Sequence, residues 1–203
     1  MPGHYDKTMI TVQQIIFACL IIFMFYWFIS AQSVKPIQET KGWLSGNWYS
    51  IFLVIGFLFM VPLKFMTKIG LPIFITSTLL IPHILIISIL SVILAVTGLV
   101  VAIIARRTLA ANWSGAVAIK SGHELITTGL YHYVRHPIYT GVLIMASGVV
   151  LSFGTLSACI GYFIILFTVI LKSQDEEKIL SRHFVEKYLE YKKHTKILIP
   201  FVW

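Results

Sequence analysis

Long apolar stretches alternate with short polar ones along most of this chain. A helix needs about 20 predominantly apolar residues to cross the roughly 30 Å hydrocarbon core of a bilayer. Residues 10–31 form one such stretch and residues 48–63 form a second, and neither contains an acidic or basic side chain. A third stretch, residues 84–105, is ended by Arg106 and Arg107. We therefore predict three membrane spans in the first half of the chain.

The region between the second and third predicted spans is apolar but interrupted. Pro72 and Pro82 both disfavour a continuous helix, because proline lacks the backbone N–H that a helix interior needs. Two full spans do not fit well into this region, so we expect residues 69–81 to form an interfacial or re-entrant segment. His83, at the junction, is interpreted as an interfacial polar residue rather than a ligand.

The second half of the chain begins with a polar stretch, residues 108–136. Two short apolar runs follow, residues 137–153 and 155–171, and their spacing around Gly154 predicts a tight helical hairpin. In and just before the charged segment 173–194, five residues spaced four apart would lie on one face of a helix. This pattern is typical of an amphipathic helix with its aromatic side turned inward. That face comprises Lys172, Glu176, Leu180, Phe184 and Tyr188.

Composition supports a membrane protein. Of the 203 residues, 58% are hydrophobic and 12% are charged, far from the balance of a soluble domain. The net charge of +8 does not indicate nucleic-acid binding, because the basic residues follow the ends of apolar segments. We predict an all-α polytopic membrane protein with about five transmembrane helices. Residues 1–105 would hold the first three spans, and residues 106–203 a catalytic region with a cytoplasmic loop and an amphipathic C-terminal helix.

The distribution of basic residues predicts the orientation. With five spans and the C-terminus inside, three basic residues lie outside, namely Lys7, Lys64 and Lys68, and 13 lie inside. We therefore expect an integral, multi-pass protein, in a prokaryotic plasma membrane, with the polar loop and the tail together on the cytoplasmic face. The inside residues are Lys35, Lys41, Arg106, Arg107, Lys120, Arg135, Lys172, Lys178, Arg182, Lys187, Lys192, Lys193 and Lys196.

Chemistry is therefore expected at the cytoplasmic boundary. The spans contain almost no ionisable side chains, which disfavours a transporter or proton relay. No phosphate-binding loop, dinucleotide fingerprint or zinc motif is present, and no disulfide or metal spacing involves the two cysteines. The polar loop instead concentrates aromatic, basic and glycine residues. From these residues alone, a loop that clasps a flat cationic ligand and a basic loop that meets phosphate headgroups are both possible.

The pattern of this loop resembles the signature of the isoprenylcysteine carboxyl methyltransferase family, H-x-L-[VI]-x-x-G-x-Y-x-x-x-R-H-P-x-Y-x-G. A second block, which runs from Asp175 to Lys193, resembles the C-terminal block of the same family at matching spacing. The resemblance covers roughly residues 106–203, whereas the first hundred residues match in hydropathy alone. The matching loop positions are His123, Leu125, Ile126, Gly129, Tyr131, Arg135, His136, Pro137, Tyr139 and Gly141.

This resemblance implies an S-adenosylmethionine-dependent carboxyl O-methyltransferase. A lipid-like substrate, an isoprenylcysteine or similar, would enter the site from the bilayer. At the position of Lys172 the eukaryotic members carry an arginine that contacts substrate, and lysine cannot form the same bidentate pair with a carboxylate. Contacts to the cofactor are implied for His123, Glu124, Leu125, Ile126, Tyr131, His136, Pro137, Ile138, Tyr139 and Glu176.

The implied reaction is an in-line displacement at the sulfonium methyl. A carboxylate acceptor is ionised at neutral pH and needs no general base, so alignment and desolvation would dominate. Arg135 or Lys172 would orient the acceptor. The alternative for Lys172 is a simple ion pair with Glu176, one helical turn further on.

Other functions remain open at this point. A phospholipid N-methyltransferase acting on phosphatidylethanolamine would use the same cofactor but needs a base, for which His136 or Glu177 is the candidate. A nicotinamide-dependent membrane reductase would bind NADPH rather than S-adenosylhomocysteine. A non-enzymatic scaffold would bind anionic lipid through its basic tail and no nucleotide-like ligand. The sequence does not indicate an oligomeric state.

Overall fold

The computed structural model describes residues 2–40, 43–61, 78–82 and 84–200. Within these ranges the chain is mostly helical, with a short sheet and two single-turn 3₁₀ helices, Ala110–Asn112 and Gly129–His132. The main elements in chain order are α1 (Pro2–Ser30), β1 (Ile37–Thr40), α2 (Trp43–Met60), α3 (Leu85–Leu109), β2 (Ala118–Lys120), α4 (Pro137–Phe153) and α5 (Leu156–His194).

The five α-helices carry the apolar stretches of the sequence. Three described segments are long and apolar enough to cross a membrane, Met9–Ser30, Leu85–Asn112 and Leu156–His194. Two further helices are apolar but shorter, Trp48–Met60 and Pro137–Phe153. The prediction of a helical membrane protein with about five apolar helices is confirmed.

The last helix is longer than the sequence pattern predicted. Helix α5 continues past the expected end at residue 171 and is kinked only at Val185, whose φ of 38° and ψ of −105° are not helical. It contains no proline, and its one glycine, Gly161, lies near its start, so no residue stops it between the apolar and charged halves. At 1.5 Å per residue the part from Leu156 to the kink is about 43 Å long, which exceeds the roughly 30 Å thickness of a hydrocarbon core. The apolar half, residues 156–171, therefore spans the membrane, and the charged half extends beyond it.

Glycines set the close packing between the helices. Helices α3 and α4 touch along their backbones, because a Cβ on Gly141 would lie 2.6 Å from the backbone nitrogen of Ala102. A Cβ on Gly148 would lie 2.5 Å from the carbonyl oxygen of Ser91. Small residues allow this approach, and it gives apolar helices the van der Waals contact that holds them together in lipid. Helix α4 is thereby fixed against α3 where the polar loop begins.

A small antiparallel sheet joins the connection after α1 to the polar loop. The all-α prediction did not include this sheet. Strand β1 pairs with β2, with Ile37 opposite Lys120 and Glu39 opposite Ile119. Strands of three or four residues are too short to show the two-residue periodicity by which a strand is recognised. The sheet brings the connection after α1 onto the polar loop.

The described connections lie at two opposite ends of the bundle. At one end the tail after α5 meets the polar loop, where Val134 and Lys196 form an isolated parallel β-bridge. At the other end the turn between α4 and α5 receives the segment before α3, since Leu80 N–H donates to the Gly154 carbonyl at 2.7 Å. The prediction of five spans likewise places the polar loop and the tail at one end and the turn between α4 and α5 at the other. His83 and most of the predicted segment 69–81, up to residue 77, lie outside the described residues.

Candidate active site

A cavity of about 110 Å³ lies at the end of the bundle where the polar loop meets the charged half of α5. A wider open groove of about 820 Å³ adjoins it, and the two share His123, Glu124, Leu125 and Tyr191. The cavity is lined by Leu109, Asn112, Trp113, Ser114, Ala116, Ala118, His123, Glu124, Leu125, Ile126, Tyr131, Arg135, His136, Ile138, Tyr139, Glu176, Ile179, Leu180, Tyr188 and Tyr191.

The connection after α1 holds the first wall of the cavity in place. The backbone N–H of Lys35 donates to the carbonyl of Ala111 at 3.1 Å. The ammonium of Lys35 donates to the side-chain oxygen of Asn112 at 3.1 Å and to the carbonyl of Gly122 at 2.8 Å. These bonds, together with the sheet, tie residues 111–122 to a segment nearly 80 positions earlier in the chain.

The first turn of α4 supplies the second wall. Pro137 occupies the first helical turn, where its missing N–H leaves no bond unmade. The rings of His136 and Tyr139 stack with centroids 5.6 Å apart. The hydroxyl of Tyr139 donates to Glu176 Oε1 at 2.6 Å, so the acidic start of the charged half of α5 is fastened to α4. This contact joins the two sequence blocks into one site.

Glu176 is held as an anion at the edge of the cavity. Its Oε2 lies 3.3 Å from His136 Nδ1, and its side chain is 20% exposed. Burial alone acts to raise the pKa of Glu176, but bonding to His136 and the charge of Lys172 outweigh burial and lower the pKa. Glu176 is therefore ionised at neutral pH and faces the space that a ligand would fill.

His136 sits between two carboxylates. Its Nε2 lies 3.7 Å from Glu177 Oε1, which is beyond hydrogen-bond distance, and no other described residue bonds this nitrogen. Burial acts to lower the pKa of His136, but the carboxylates of Glu176 and Glu177 outweigh it and raise the pKa. The imidazole is consequently protonated over a wider pH range than a free histidine.

Glu177 is the centre of an internal ion cluster. Arg135 Nε donates to its Oε1 at 2.5 Å, and Lys192 Nζ lies 3.0 Å from its Oε2. Burial acts to raise the pKa of Glu177, but the nearby imidazole of His136 and the contacts with Arg135 and Lys192 lower the pKa to about 2. Glu177 does not line the cavity, so it serves to hold Arg135 and the tail.

The two predicted catalytic residues lie in different surroundings. Arg135 lines the cavity, but its Nε and Nη1 already donate to Glu177 and to the carbonyl of Thr195. Lys172 is 5% exposed and does not line the cavity, because its Nζ donates to the carbonyl of Gly115 at 2.7 Å. The alternative ion pair between Lys172 and Glu176 is not formed, since Glu176 bonds Tyr139 and His136 instead.

Ten of the twelve predicted site residues line the cavity, and the other two, Pro137 and Lys172, lie just behind its wall. Asn112 and Trp113 precede the loop signature and were not predicted as site residues, and Tyr191 lies within the second block but was given no role there. The four-residue stripe on α5 already contained Leu180 and Tyr188, which do line the cavity. Among the described residues no three His, Cys, Asp or Glu side chains are arranged to hold a metal ion.

Residues 86–182 match the model of the isoprenylcysteine carboxyl methyltransferase (ICMT) family. The match covers just under half of the chain, and over this region the sequence is similar to that family. The matched segment contains α3, the polar loop, α4 and the start of the charged half of α5, and therefore both sequence blocks around the cavity.

Some curated relatives match the chain over a somewhat longer stretch than the family model does. A protein-S-isoprenylcysteine O-methyltransferase of Saccharomyces cerevisiae is 33% identical over 118 residues, which are 57% of this chain and 49% of the relative. The protein of the same name from Homo sapiens is 29% identical and matches 54% of this chain and 42% of its own length. The chain thus spans about half the length of the curated relatives that it matches.

A solved structure shares the fold. The structure of the eukaryotic intramembrane Ras methyltransferase ICMT aligns with a TM-score of 0.56 and 21% identity. The alignment covers 77% of this chain and 53% of that chain. The alignment is longer than residues 86–203, so the likeness extends to residues before the family match, where the sequence related the chain to the family by hydropathy alone.

Proposed function

We propose that this protein transfers a methyl group from S-adenosylmethionine to the carboxylate of an isoprenylcysteine or a similar lipid-like substrate. The observation that carries the proposal is the bond from Tyr139 to Glu176, which closes the two blocks of the family around one cavity at the membrane boundary. The names of the relatives, protein-S-isoprenylcysteine O-methyltransferases, support the same reaction.

The residues around the cavity suit this cofactor. S-adenosylmethionine supplies an electrophilic methyl group on a sulfonium cation next to a flat nucleoside. The carboxylate of Glu176 faces the cavity and favours a cation there, and the rings of Trp113, Tyr131 and Tyr139 offer flat apolar surfaces. Tyr131 is 5% exposed, so its ring lies largely out of water.

The ionisation of the site favours a carboxylate over an amine acceptor. An amine must lose a proton, and the two candidate bases are His136 and Glu177. The raised pKa of His136 reduces its neutral fraction, and Glu177, with its pKa of about 2, is a weak base already bound by cations. A carboxylate needs neither group, because it is ionised at neutral pH. We therefore rank methyl transfer to phosphatidylethanolamine as the second candidate function.

We assign to Lys172 the role of binding the substrate carboxylate. Its ammonium lies 5.6 Å from the centroid of the Tyr139 ring, directly behind the wall of the cavity. An ammonium on a four-carbon stem reorients easily, so Lys172 can exchange the carbonyl of Gly115 for a substrate carboxylate. Arg135, whose guanidinium bonds Glu177 and Thr195, is assigned a positioning role.

We further propose that the cavity faces the cytoplasm and that the lipid part of the substrate arrives from the bilayer. The excess of basic residues on the predicted inner side supports the cytoplasmic orientation. The exposed apolar faces of α1 and α3 support entry of the lipid from the bilayer, because these faces contact lipid tails. Alignment of the two reactants in a dry site then supplies most of the acceleration, since oriented groups reach effective molarities of about 10⁵ M or more.

Methyl transfer to a substrate panel tests the proposal. Purified protein receives labelled S-adenosylmethionine with a farnesyl-cysteine analogue, phosphatidylethanolamine or a total lipid extract. We expect label in the farnesyl-cysteine analogue. Transfer to phosphatidylethanolamine alone would favour the second function, and no transfer together with no binding of S-adenosylhomocysteine would refute both.

The variant Glu176→Ala probes the site itself. A hydrogen bond to a charged group contributes about 1.5 to 3 kcal/mol, so cofactor affinity should fall by roughly 10- to 100-fold. Glu186, which is on the same helix, exposed, and outside the lining of both the cavity and the groove, provides the matched control through Glu186→Ala. Equal affinity and turnover in the Glu176 variant and the control would show that Glu176 has no role in the site.

A further inference from the structure

Asn112 is a buried polar residue of the cavity wall that the family signature does not contain. It ends the 3₁₀ turn that follows α3 and is 8% exposed. Its neighbours along the wall include the apolar side chains of Leu109, Trp113 and Ile126. A buried amide in such surroundings is stable when both its oxygen and its nitrogen have partners.

The orientation of this amide follows from its two partners. Asn112 Oδ1 accepts from Lys35 Nζ at 3.1 Å and from the backbone N–H of Glu124 at 3.3 Å. An ammonium and a backbone N–H can only donate, so the oxygen must face them and the NH₂ group must point away. No hydrogen bond joins Asn112 Nδ2 to another described residue. Because Asn112 lines the cavity, its amide offers the cavity wall two N–H donors that no described residue accepts.

We propose that Asn112 donates a hydrogen bond to a ring nitrogen or sugar oxygen of the adenosine half of the cofactor, and that Lys35 holds the amide in the required orientation. The inference rests on the proposed methyltransferase function and adds a specificity-determining residue to it. The flat apolar neighbours favour the nucleoside over the charged amino-acid half, because a heterocycle packs on Trp113 while its ring nitrogens still need donors.

The proposed role of Lys35 gives the connection after α1 a function in the site. Lys35 lies before residue 86, where the family match begins, yet it bonds both Asn112 and the carbonyl of Gly122. The amide of Asn112 would rotate more freely without this ammonium, since only the Glu124 N–H would then hold its oxygen. Lys35 is consequently a positioning residue that acts through Asn112.

The variant Asn112→Asp separates ligand binding from a structural role. Aspartate keeps an oxygen for Lys35 and for the Glu124 N–H, and it strengthens the first bond by its charge, but it presents an oxygen in place of the NH₂ donors. Titration calorimetry with S-adenosylhomocysteine in detergent should show at least tenfold weaker binding at an unchanged or higher melting temperature. Wild-type affinity in this variant would overturn the inference.

Two further measurements complete the test. Lys35→Met should weaken binding severalfold in the wild-type background and have no further effect beside Asn112→Asp, whereas Lys35→Arg should restore affinity. Methylthioadenosine lacks the amino-acid half, and the Asn112→Asp loss should persist with this ligand. Disappearance of the loss would place the acceptor in the amino-acid half and refute the nucleoside assignment. Failure of the wild-type protein to bind either ligand would instead refute the proposed function.

Discussion

Replacement of Glu177 by glutamine tests how far the internal ion cluster stabilises the fold. In the structure Glu177 accepts from Arg135 at 2.5 Å and pairs with Lys192 at 3.0 Å. Glutamine keeps the shape but removes the charge, so Arg135 is left buried without its counter-ion. We expect a less stable protein at neutral pH.

The magnitude follows from the pKa of Glu177. A fall from the ordinary 4.5 to about 2 corresponds to about 3 kcal/mol of stabilisation of the charged form. Lys192 is 37% exposed, so solvent screens its share of the interaction. We therefore expect Glu177→Gln to reduce the free energy of unfolding by about 2 kcal/mol at pH 7.

The dependence on pH has a definite sign. A carboxyl group whose pKa is lowered in the folded state stabilises the protein above its unfolded value of 4.5, and this contribution is lost as the pH falls towards 2. The wild-type protein should therefore lose melting temperature more steeply than Glu177→Gln between pH 5 and 2.5.

Thermal unfolding in detergent, followed by circular dichroism at a series of pH values, measures both effects. Glu190→Gln is the control, because Glu190 is exposed and should leave the melting temperature unchanged. Equal melting temperatures of wild type and Glu177→Gln at pH 7, or parallel curves down to pH 2.5, would refute the reasoning.

Two other substitutions probe the substrate cation and the helix packing. Lys172→Met should leave the affinity for S-adenosylhomocysteine within twofold and reduce methyl transfer at least tenfold, measured by calorimetry and label incorporation; unchanged turnover would contradict its role. Gly98→Ala should abolish correct folding, because its Cβ would overlap the backbone nitrogen of Met145, whereas Val96→Ala on the lipid face of α3 should be tolerated. The yield of monodisperse protein in detergent decides this, and a normal yield of Gly98→Ala would show that α3 and α4 are not in backbone contact.

The parts of the fold that the sequence predicted are those with a long, regular pattern. Runs of apolar residues located the helices, because in lipid a backbone must bond to itself and a helix is the simplest way to do so. The starts of α1 and α2 were placed eight and five residues too late, since both helices begin in more polar sequence. The four-residue spacing on α5 predicted its inward face, of which Lys172 and Tyr188 are buried. The β1–β2 pairing was missed because it depends on contacts between distant residues. The continuation of α5 past residue 171 was missed because it depends on the absence of a stop signal there.

By itself, the sequence determined that this protein is helical, lies in a membrane and carries a family signature at one end of its spans. Those properties follow from composition, periodicity and local motifs, which act over a few residues at a time. The tertiary structure alone decided which side chains share the cavity: Tyr139 bonds Glu176, 37 positions further on, and Lys35 orients Asn112, 77 positions away. Such contacts depend on how α1, α4 and α5 pack, and helix packing in lipid follows from shape complementarity that no local pattern encodes.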